Sequence, residues 1–152
     1  YAMTGWRIGA VTGPTELIRR MSLLFETITS CVPPFIQYAA ITALSKSSYY
    51  SFEMIKKYEE RRNLLVDGIN TIEGISCLKP EGTFYAFANT SKINKSSEEF
   101  SKKLLMESFV ASCPGVYFGP SGEGYTRFCF ANSLVNIDEA VKRIKLFCER
   151  KE

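Results

Sequence analysis

Residues 124–131 have the sequence Gly-Tyr-Thr-Arg-Phe-Cys-Phe-Ala, which shows the alternation of a β-strand with one buried face. The residues predicted to face the core are Thr126, Phe128 and Phe130. The residues predicted on the opposite side are Tyr125, Arg127 and Cys129. We therefore expect Arg127 to point toward solvent, an interface or a cleft. Two interpretations stay open from this stretch alone: a solvated strand arginine, or a site that binds a carboxylate.

The segments around this strand predict a small sheet that is packed by helices. Strand patterns occur at 75–78, 83–89, 110–113 and 116–118, and helix patterns at 97–109 and 137–150. Upstream, helix patterns cover about 15–27, 35–44 and a long stretch at 50–72. Mixed short strands and helices of this kind favour an α+β fold, and a polar break suggests a domain boundary near Ser45.

Residues 1–9, Tyr-Ala-Met-Thr-Gly-Trp-Arg-Ile-Gly, form the second informative segment. The segment is apolar, and we expect a strand over 2–12 with a break at Thr4 and Gly5. Arg7 lies where burial is expected, and a buried arginine needs an anionic partner. Its planar fork suits a phosphate or a carboxylate, so anion binding and a structural salt bridge are both open. The segment starts without a methionine, and we expect the chain to be part of a longer protein.

The amino-acid composition argues against several kinds of catalytic and binding site. The 152 residues are 45% hydrophobic and 23% charged, which is typical of a globular protein. The net charge is only +3, and basic and acidic residues are mixed along the chain, so the charge pattern does not favour nucleic-acid binding. The chain has no histidine, which excludes histidine-based catalysis and histidine metal ligation within it. The five cysteines lack close pairing, so we expect buried apolar thiols, no metal site and a reducing cytoplasm. No apolar run is long enough to span a membrane.

Four motifs together resemble the C-terminal part of fold type I pyridoxal-phosphate aminotransferases, the aspartate aminotransferase family of class I and II. The motifs are residues 1–9, Pro-Glu-Gly-Thr-Phe-Tyr at 80–85, Pro114-Gly115 with Phe118-Gly119, and residues 124–131. They follow the family's order over essentially the whole chain. The resemblance implies a C-terminal remnant of the large α/β cofactor-binding domain over 1–45. It implies the small C-terminal domain, beginning with a long connecting helix, over 46–152.

The resemblance also implies roles for two arginines. Arg7 would bind the phosphate of pyridoxal 5'-phosphate, and Arg127 would bind the α-carboxylate of the substrate. The family's Schiff-base lysine would lie just before Tyr1, so no catalytic residue and no covalently bound cofactor are expected in this chain, which would be inactive alone. The full-length enzyme would act on amino acids and 2-oxo acids as a cytoplasmic homodimer.

Substrate and reaction type stay open at this point. Some dicarboxylate-specific members carry an arginine where this chain has Thr-Ile-Thr-Ser-Cys at 27–31. Aspartate, aromatic and other amino acids are therefore all possible substrates. A carbon–sulfur lyase or an amino-acid synthase with the same cofactor is an alternative, as is a non-catalytic dimerisation or binding domain.

Overall fold

The structure is a computed structural model that describes residues 1–46 and 48–150, without the side chains of residues 48–50. It divides into two compact units, Tyr1–Met54 and Ile55–Glu152. The division falls within helix α3, Ser48–Ile69. The assignment of residues 1–45 to a large cofactor-binding domain stays a prediction. Of the helices in the described ranges, none has the length and apolarity that a membrane span requires.

The first unit contains helices α1, Thr15–Thr29, and α2, Pro34–Lys46, together with the start of α3. Both of the first two helices were expected from their apolar spacing, and the structure confirms them. Helix α1 carries Glu16 in its first turn, where a negative charge complements the positive end of the helix. It ends at Ser30, whose φ of 69° breaks the helical path. Pro34 then occupies the first position of α2, where its missing N–H costs nothing.

The strand predicted over residues 2–12 is wrong. The segment instead forms a short 3-10 turn at Thr4–Trp6, followed by irregular backbone. Arg7 ends this turn in the left-handed region, with a φ of 51°, and its N–H donates to the Thr4 carbonyl at 3.4 Å. A residue in that conformation cannot continue an extended strand. The expected burial of Arg7 is also wrong, because its side chain is exposed.

The second unit contains the small sheet. Its strands are β1 at Ser76–Cys77, β2 at Tyr85–Asn89, β3 at Cys113–Pro114 and β4 at Tyr125–Cys129, and its helices are α4 at Ser97–Ser108 and α5 at Leu134–Glu149. The strand order is β1-β2-β4-β3, and every neighbouring pair is antiparallel. The register places Phe87 of β2 and Cys113 of β3 opposite Arg127 of β4. The predicted α+β fold is confirmed.

The core of the second unit lies between one face of the sheet and the helices. The sheet contributes Ala86, Ala88, Thr126 and Phe128, and the helices contribute Leu65, Val66, Ile69, Phe100, Leu104, Ile137 and Ile144, all of them buried. The alternation predicted for 124–131 is therefore confirmed. The cluster of aromatic residues Phe84, Tyr85 and Phe87 is predicted to lie in the core; Phe84 does pack against it, but Phe87 is 39% exposed. Strand β2 turns its small alanines toward the helices, and Tyr85 and Phe87 therefore lie on the opposite face.

Four further expectations need correction. Residues 116–118 belong to a 3-10 helix, Gly115–Phe118, and not to a strand. Helix α5 begins earlier than predicted, because Ser133 caps it by accepting the N–H of Asn136 at 3.2 Å. Two cysteines expected to be buried, Cys31 and Cys129, are exposed. The helical spacing of Phe52 and Ile55 predicts that both lie on the apolar face of α3, but both are exposed.

Candidate functional site

Arg127 lies in β4 on the face of the sheet that points away from the helices. Its strand neighbours Thr126 and Phe128 are buried on the core side, which fixes the opposite direction for Arg127. The side chain is half-buried, and β4 is paired with a strand on each side. Pairing on both sides restricts movement of the backbone that carries the guanidinium group. The structure thus places Arg127 where the strand pattern predicted it.

The guanidinium group of Arg127 lies against two aromatic rings. Its central carbon is 4.1 Å from the ring centroid of Tyr85 and 4.5 Å from that of Phe118. Tyr85 belongs to β2 and Phe118 follows β3, so the two rings come from opposite neighbours of β4. A cation over a ring face gains roughly 0.5–2 kcal/mol, depending on its exposure to water. The contacts therefore stabilise one position of the charge.

Two further rings surround this pair. Phe87 contacts Phe118 edge-on, with 6.0 Å between their centroids, and stacks on Tyr125 with 5.2 Å between centroids. We call Tyr85, Phe87, Phe118 and Tyr125 the aromatic cage of Arg127. Aromatic side chains contribute contact area while losing few rotamers, so a cage of rings is more rigid than one of aliphatic side chains.

Arg127 has no anionic partner within the described part of the chain. Among residues 1–46 and 48–150, no carboxylate forms an ion pair with it, and no side-chain hydrogen bond from it is found. Guanidinium has five N–H donors, and a ring contact is not a substitute for a hydrogen-bond acceptor. The arrangement therefore leaves the donor edge available for an external acceptor such as a carboxylate.

The segment 115–124, which carries Phe118, is fastened to the start of helix α4. The carboxylate of Glu123 accepts the N–H of Ser97 at 2.6 Å and that of Gly124 at 3.0 Å. The hydroxyl of Ser97 in turn accepts the N–H of Val116 at 3.2 Å. The two bonds that involve Ser97 join both ends of the segment to the first turn of the helix. These bonds fix the backbone of the segment on both sides of Phe118, although the Phe118 side chain is 51% exposed.

Within the same segment, the backbones of Gly115 and Gly122 lie in close contact. A Cβ added at Gly122 would collide with the backbone of Gly115, and a Cβ added at Gly115 would collide with the carbonyl oxygens of Gly122 and Tyr125. Only glycine permits such a close approach of two backbones.

The bonds to Glu123 predict acid sensitivity of this segment. The N–H groups of Ser97 and Gly124 hold the pKa of the Glu123 carboxyl below its ordinary value of 4.5. A lowered folded pKa means that the stabilisation is complete above the unfolded pKa and is lost as the pH falls through the folded value. We expect Glu123→Gln to lower the free energy of unfolding at neutral pH, and the difference from wild type to shrink below about pH 4.5. Denaturation at a series of pH values measures it, with Glu81→Gln as the exposed control. A difference that does not change with pH would contradict the prediction.

Arg7 lies in the first unit and lines a cavity of about 590 Å³. Apolar side chains, among them Trp6, Phe25 and Phe35, form much of the remaining wall. One guanidinium nitrogen donates to the Thr4 carbonyl at 3.0 Å, and no carboxylate of the described residues pairs with it. Arg7 therefore presents an uncompensated positive charge beside a cavity, which is the chemistry that a phosphate group requires.

Sequence reasoning located both arginines but not the cage around Arg127. Tyr85 and Arg127 fall on the same face of adjacent strands, and the alternation of β2 could have shown this once the register was known. Phe118 could not have been found in this way, because it lies in a 3-10 helix whose path depends on distant contacts.

Both arginines carry a guanidinium group that pairs with no carboxylate of the described residues. The family model for aminotransferase class I and II matches residues 1–144, and the chain belongs to this family.

The chain spans about two fifths of the length of the relatives it matches. An aspartate aminotransferase of Pyrococcus horikoshii is 42% identical over 147 residues, which cover 95% of this chain and 38% of that protein. The crystal structure of an aspartate aminotransferase from Rhizobium meliloti is similar with a TM-score of 0.83 at 36% identity, over 99% of this chain and 40% of that one. An aromatic aminotransferase from Pyrococcus horikoshii has a TM-score of 0.83 at 38% identity, over 96% of this chain and 39% of that one.

Proposed function

We propose that the chain is part of an enzyme that moves an amino group between an amino acid and a 2-oxo acid with pyridoxal 5'-phosphate. The observation that supports this most directly is Arg127, a caged guanidinium whose donor edge has no partner among the described residues. Amino acids and 2-oxo acids share a carboxylate next to the reacting carbon. A fixed arginine that binds this carboxylate orients the amino acid and the 2-oxo acid in the same way.

Arg127 is the proposed binding residue for that carboxylate. Its fork can donate two parallel N–H···O bonds, which define the direction of the substrate as well as its position. The rings of Tyr85 and Phe118 exclude part of the water around the guanidinium, and hydrogen bonds from a partly dehydrated cation to a carboxylate are stronger than those in bulk water. In this role Arg127 binds and orients the substrate and transfers no proton.

Arg7 is the proposed binding residue for the cofactor phosphate. The residues fit that group, because an exposed cation without a carboxylate partner borders a cavity of sufficient size. When bound, pyridoxal phosphate supplies an electron sink for the carbon that carries the amino group. We further propose that the reactive lysine lies just before Tyr1, and that the 152-residue chain alone does not catalyse the reaction.

The named relatives include aspartate and aromatic aminotransferases, and this chain has no arginine at 27–31. We propose that the substrate is an amino acid, and aspartate, aromatic and other amino acids are all candidates. We also propose that the full-length protein is a cytoplasmic homodimer.

The proposed function is tested on the full-length protein. Purified protein is mixed with pyridoxal phosphate and its absorption spectrum is recorded, after which pairs of amino acids and 2-oxo acids are incubated and the products separated. Formation of the exchanged amino acid and oxo acid supports a transaminase. Release of ammonia with cleavage of a carbon–sulfur bond would indicate a lyase instead. Absence of cofactor uptake would contradict both and leave a binding domain.

Replacing Arg7 with alanine in the full-length protein should weaken cofactor retention. Loss of charge-assisted hydrogen bonds to a phosphate corresponds to about ten- to hundredfold in the dissociation constant. Titration with pyridoxal phosphate, followed by absorbance, measures the change. Arg19→Ala is the matched control, because Arg19 is an exposed arginine on α1 that does not line the cavity. Equal cofactor affinity in Arg7→Ala and wild type would overturn the assignment.

A further inference from the structure

The side chain of Arg127 needs something to fix its position before a carboxylate arrives. A free arginine samples many rotamers, and ordering it on binding reduces affinity. Proteins often fix an arginine with an acidic side chain, but no carboxylate of the described residues pairs with Arg127. Instead, the ring centroids of Tyr85 and Phe118 lie 4.1 and 4.5 Å from the central carbon of its guanidinium.

We propose that Tyr85 and Phe118 are positioning residues for the substrate carboxylate. They keep the Arg127 guanidinium between their rings so that its donor edge is ready for a carboxylate before the substrate binds. This inference rests on the proposed function of Arg127. Rings have one advantage over an acidic partner: they locate the cation without neutralising it and without occupying its in-plane N–H groups.

Each ring is fixed by its own local structure. Tyr85 pairs with Cys129 in the sheet, and its N–H donates to the Thr83 hydroxyl at 3.0 Å. Thr83, two residues before β2 begins at Tyr85, has a φ of 66°, which is an uncommon conformation for a β-branched residue. Phe118 depends instead on the bonds of Glu123 and Ser97 at the start of α4.

The exposure of Phe118 supports a functional and not a structural role. The ring is 51% exposed, so it contributes less to the core than the buried phenylalanines do. Tyr85 is half-buried on the sheet face away from the helices. Neither ring belongs to the core between sheet and helices, and their shared contact is Arg127.

The test uses the full-length protein with pyridoxal phosphate bound and the variants Phe118→Leu, Tyr85→Leu and the double variant. Leucine keeps apolar bulk but removes the ring face. The conservative variants Phe118→Tyr and Tyr85→Phe keep a ring. Phe109→Leu is the matched control, since Phe109 is 77% exposed and makes no ring contact with Arg127. The measurements are the dissociation constant of propionate, which has a carboxylate but no amino group, together with KM, kcat and cofactor affinity.

Each leucine variant is expected to weaken propionate binding and to raise KM by about three- to thirtyfold, the range of one cation–π contact. The expected change in kcat is smaller, cofactor affinity stays at the wild-type value, and both conservative variants and Phe109→Leu bind propionate normally. Wild-type propionate affinity in both leucine variants, while Arg127→Leu loses it, would overturn the positioning role alone. Unchanged binding in Arg127→Leu as well would overturn the proposed function of the arginine. If Tyr85→Leu does not fold, Phe118→Leu decides the question, since its ring is half exposed.

Discussion

Replacing Arg127 with leucine in the full-length protein should weaken binding of the amino-acid substrate by at least about a hundredfold, because two charge-assisted hydrogen bonds are lost and each contributes about 1.5–3 kcal/mol. Leucine also leaves the substrate carboxylate without a counter-charge in a site lined by rings, which adds a desolvation cost. The effect should appear in KM for the amino acid and in KM for the 2-oxo acid. Steady-state kinetics with both substrates, and calorimetry with propionate, measure it.

A second variant at this position separates charge from shape, and a variant at Arg61 serves as its control. Arg127→Lys keeps the positive charge but not the planar fork, so we expect intermediate affinity. Arg61→Leu is the matched control, because Arg61 also lies over a ring, with 5.3 Å between its central carbon and the centroid of Tyr58. The control should bind substrate as the wild type does. If Arg127→Leu saturates at the wild-type substrate concentration, Arg127 does not bind the carboxylate.

Replacing Phe100 with alanine should destabilise the second unit by about 3–5 kcal/mol, the usual cost of truncating a buried phenylalanine. Phe100 is 1% exposed in α4 and contacts Phe147 of α5 edge-on, with 5.7 Å between their ring centroids. Its removal leaves a cavity where α4 and α5 pack, and few neighbours can move to fill it. Chemical denaturation of the 152-residue chain, monitored by the absorbance or fluorescence of its aromatic side chains, measures the loss.

Phe109 provides the comparison within the same region. It follows the last residue of α4 and is 77% exposed, so Phe109→Ala should change the free energy of unfolding by no more than about 0.5 kcal/mol. Equal losses in Phe100→Ala and Phe109→Ala would show that the packing of α4 against the sheet and α5 is not what stabilises this unit.

The elements of the second unit were largely predictable because their patterns are local. The alternation of Thr126, Phe128 and Phe130 reported which face of β4 is buried, since a strand repeats every two residues and one face meets the helices. The sequence predicts helix α4 over 97–109, with Ser96 or Ser97 as its cap. The structure confirms this, because the Ser96 hydroxyl accepts the N–H of Glu99 at 3.2 Å.

The features that were missed depend on non-local contacts. Residues 2–12 have the composition of a strand, but Arg7 adopts a left-handed conformation and the segment pairs with no strand in the described ranges. The burial of Ala86 and Ala88, in place of the neighbouring aromatics, follows from which side of β2 the helices occupy. The contact of Phe118 with Arg127 depends on the folded path of segment 115–124, which no period in the sequence encodes.

The contact between Gly115 and Gly122 limits which substitutions and insertions the segment 115–124 can accept. Because any side chain at either position would collide with the other backbone, both positions must stay glycine for the segment to keep this path. An insertion between them would displace Phe118 and disrupt its ring contact with Arg127. Attempts to alter substrate range should therefore vary exposed positions such as Tyr117 and leave the spacing between the two glycines unchanged.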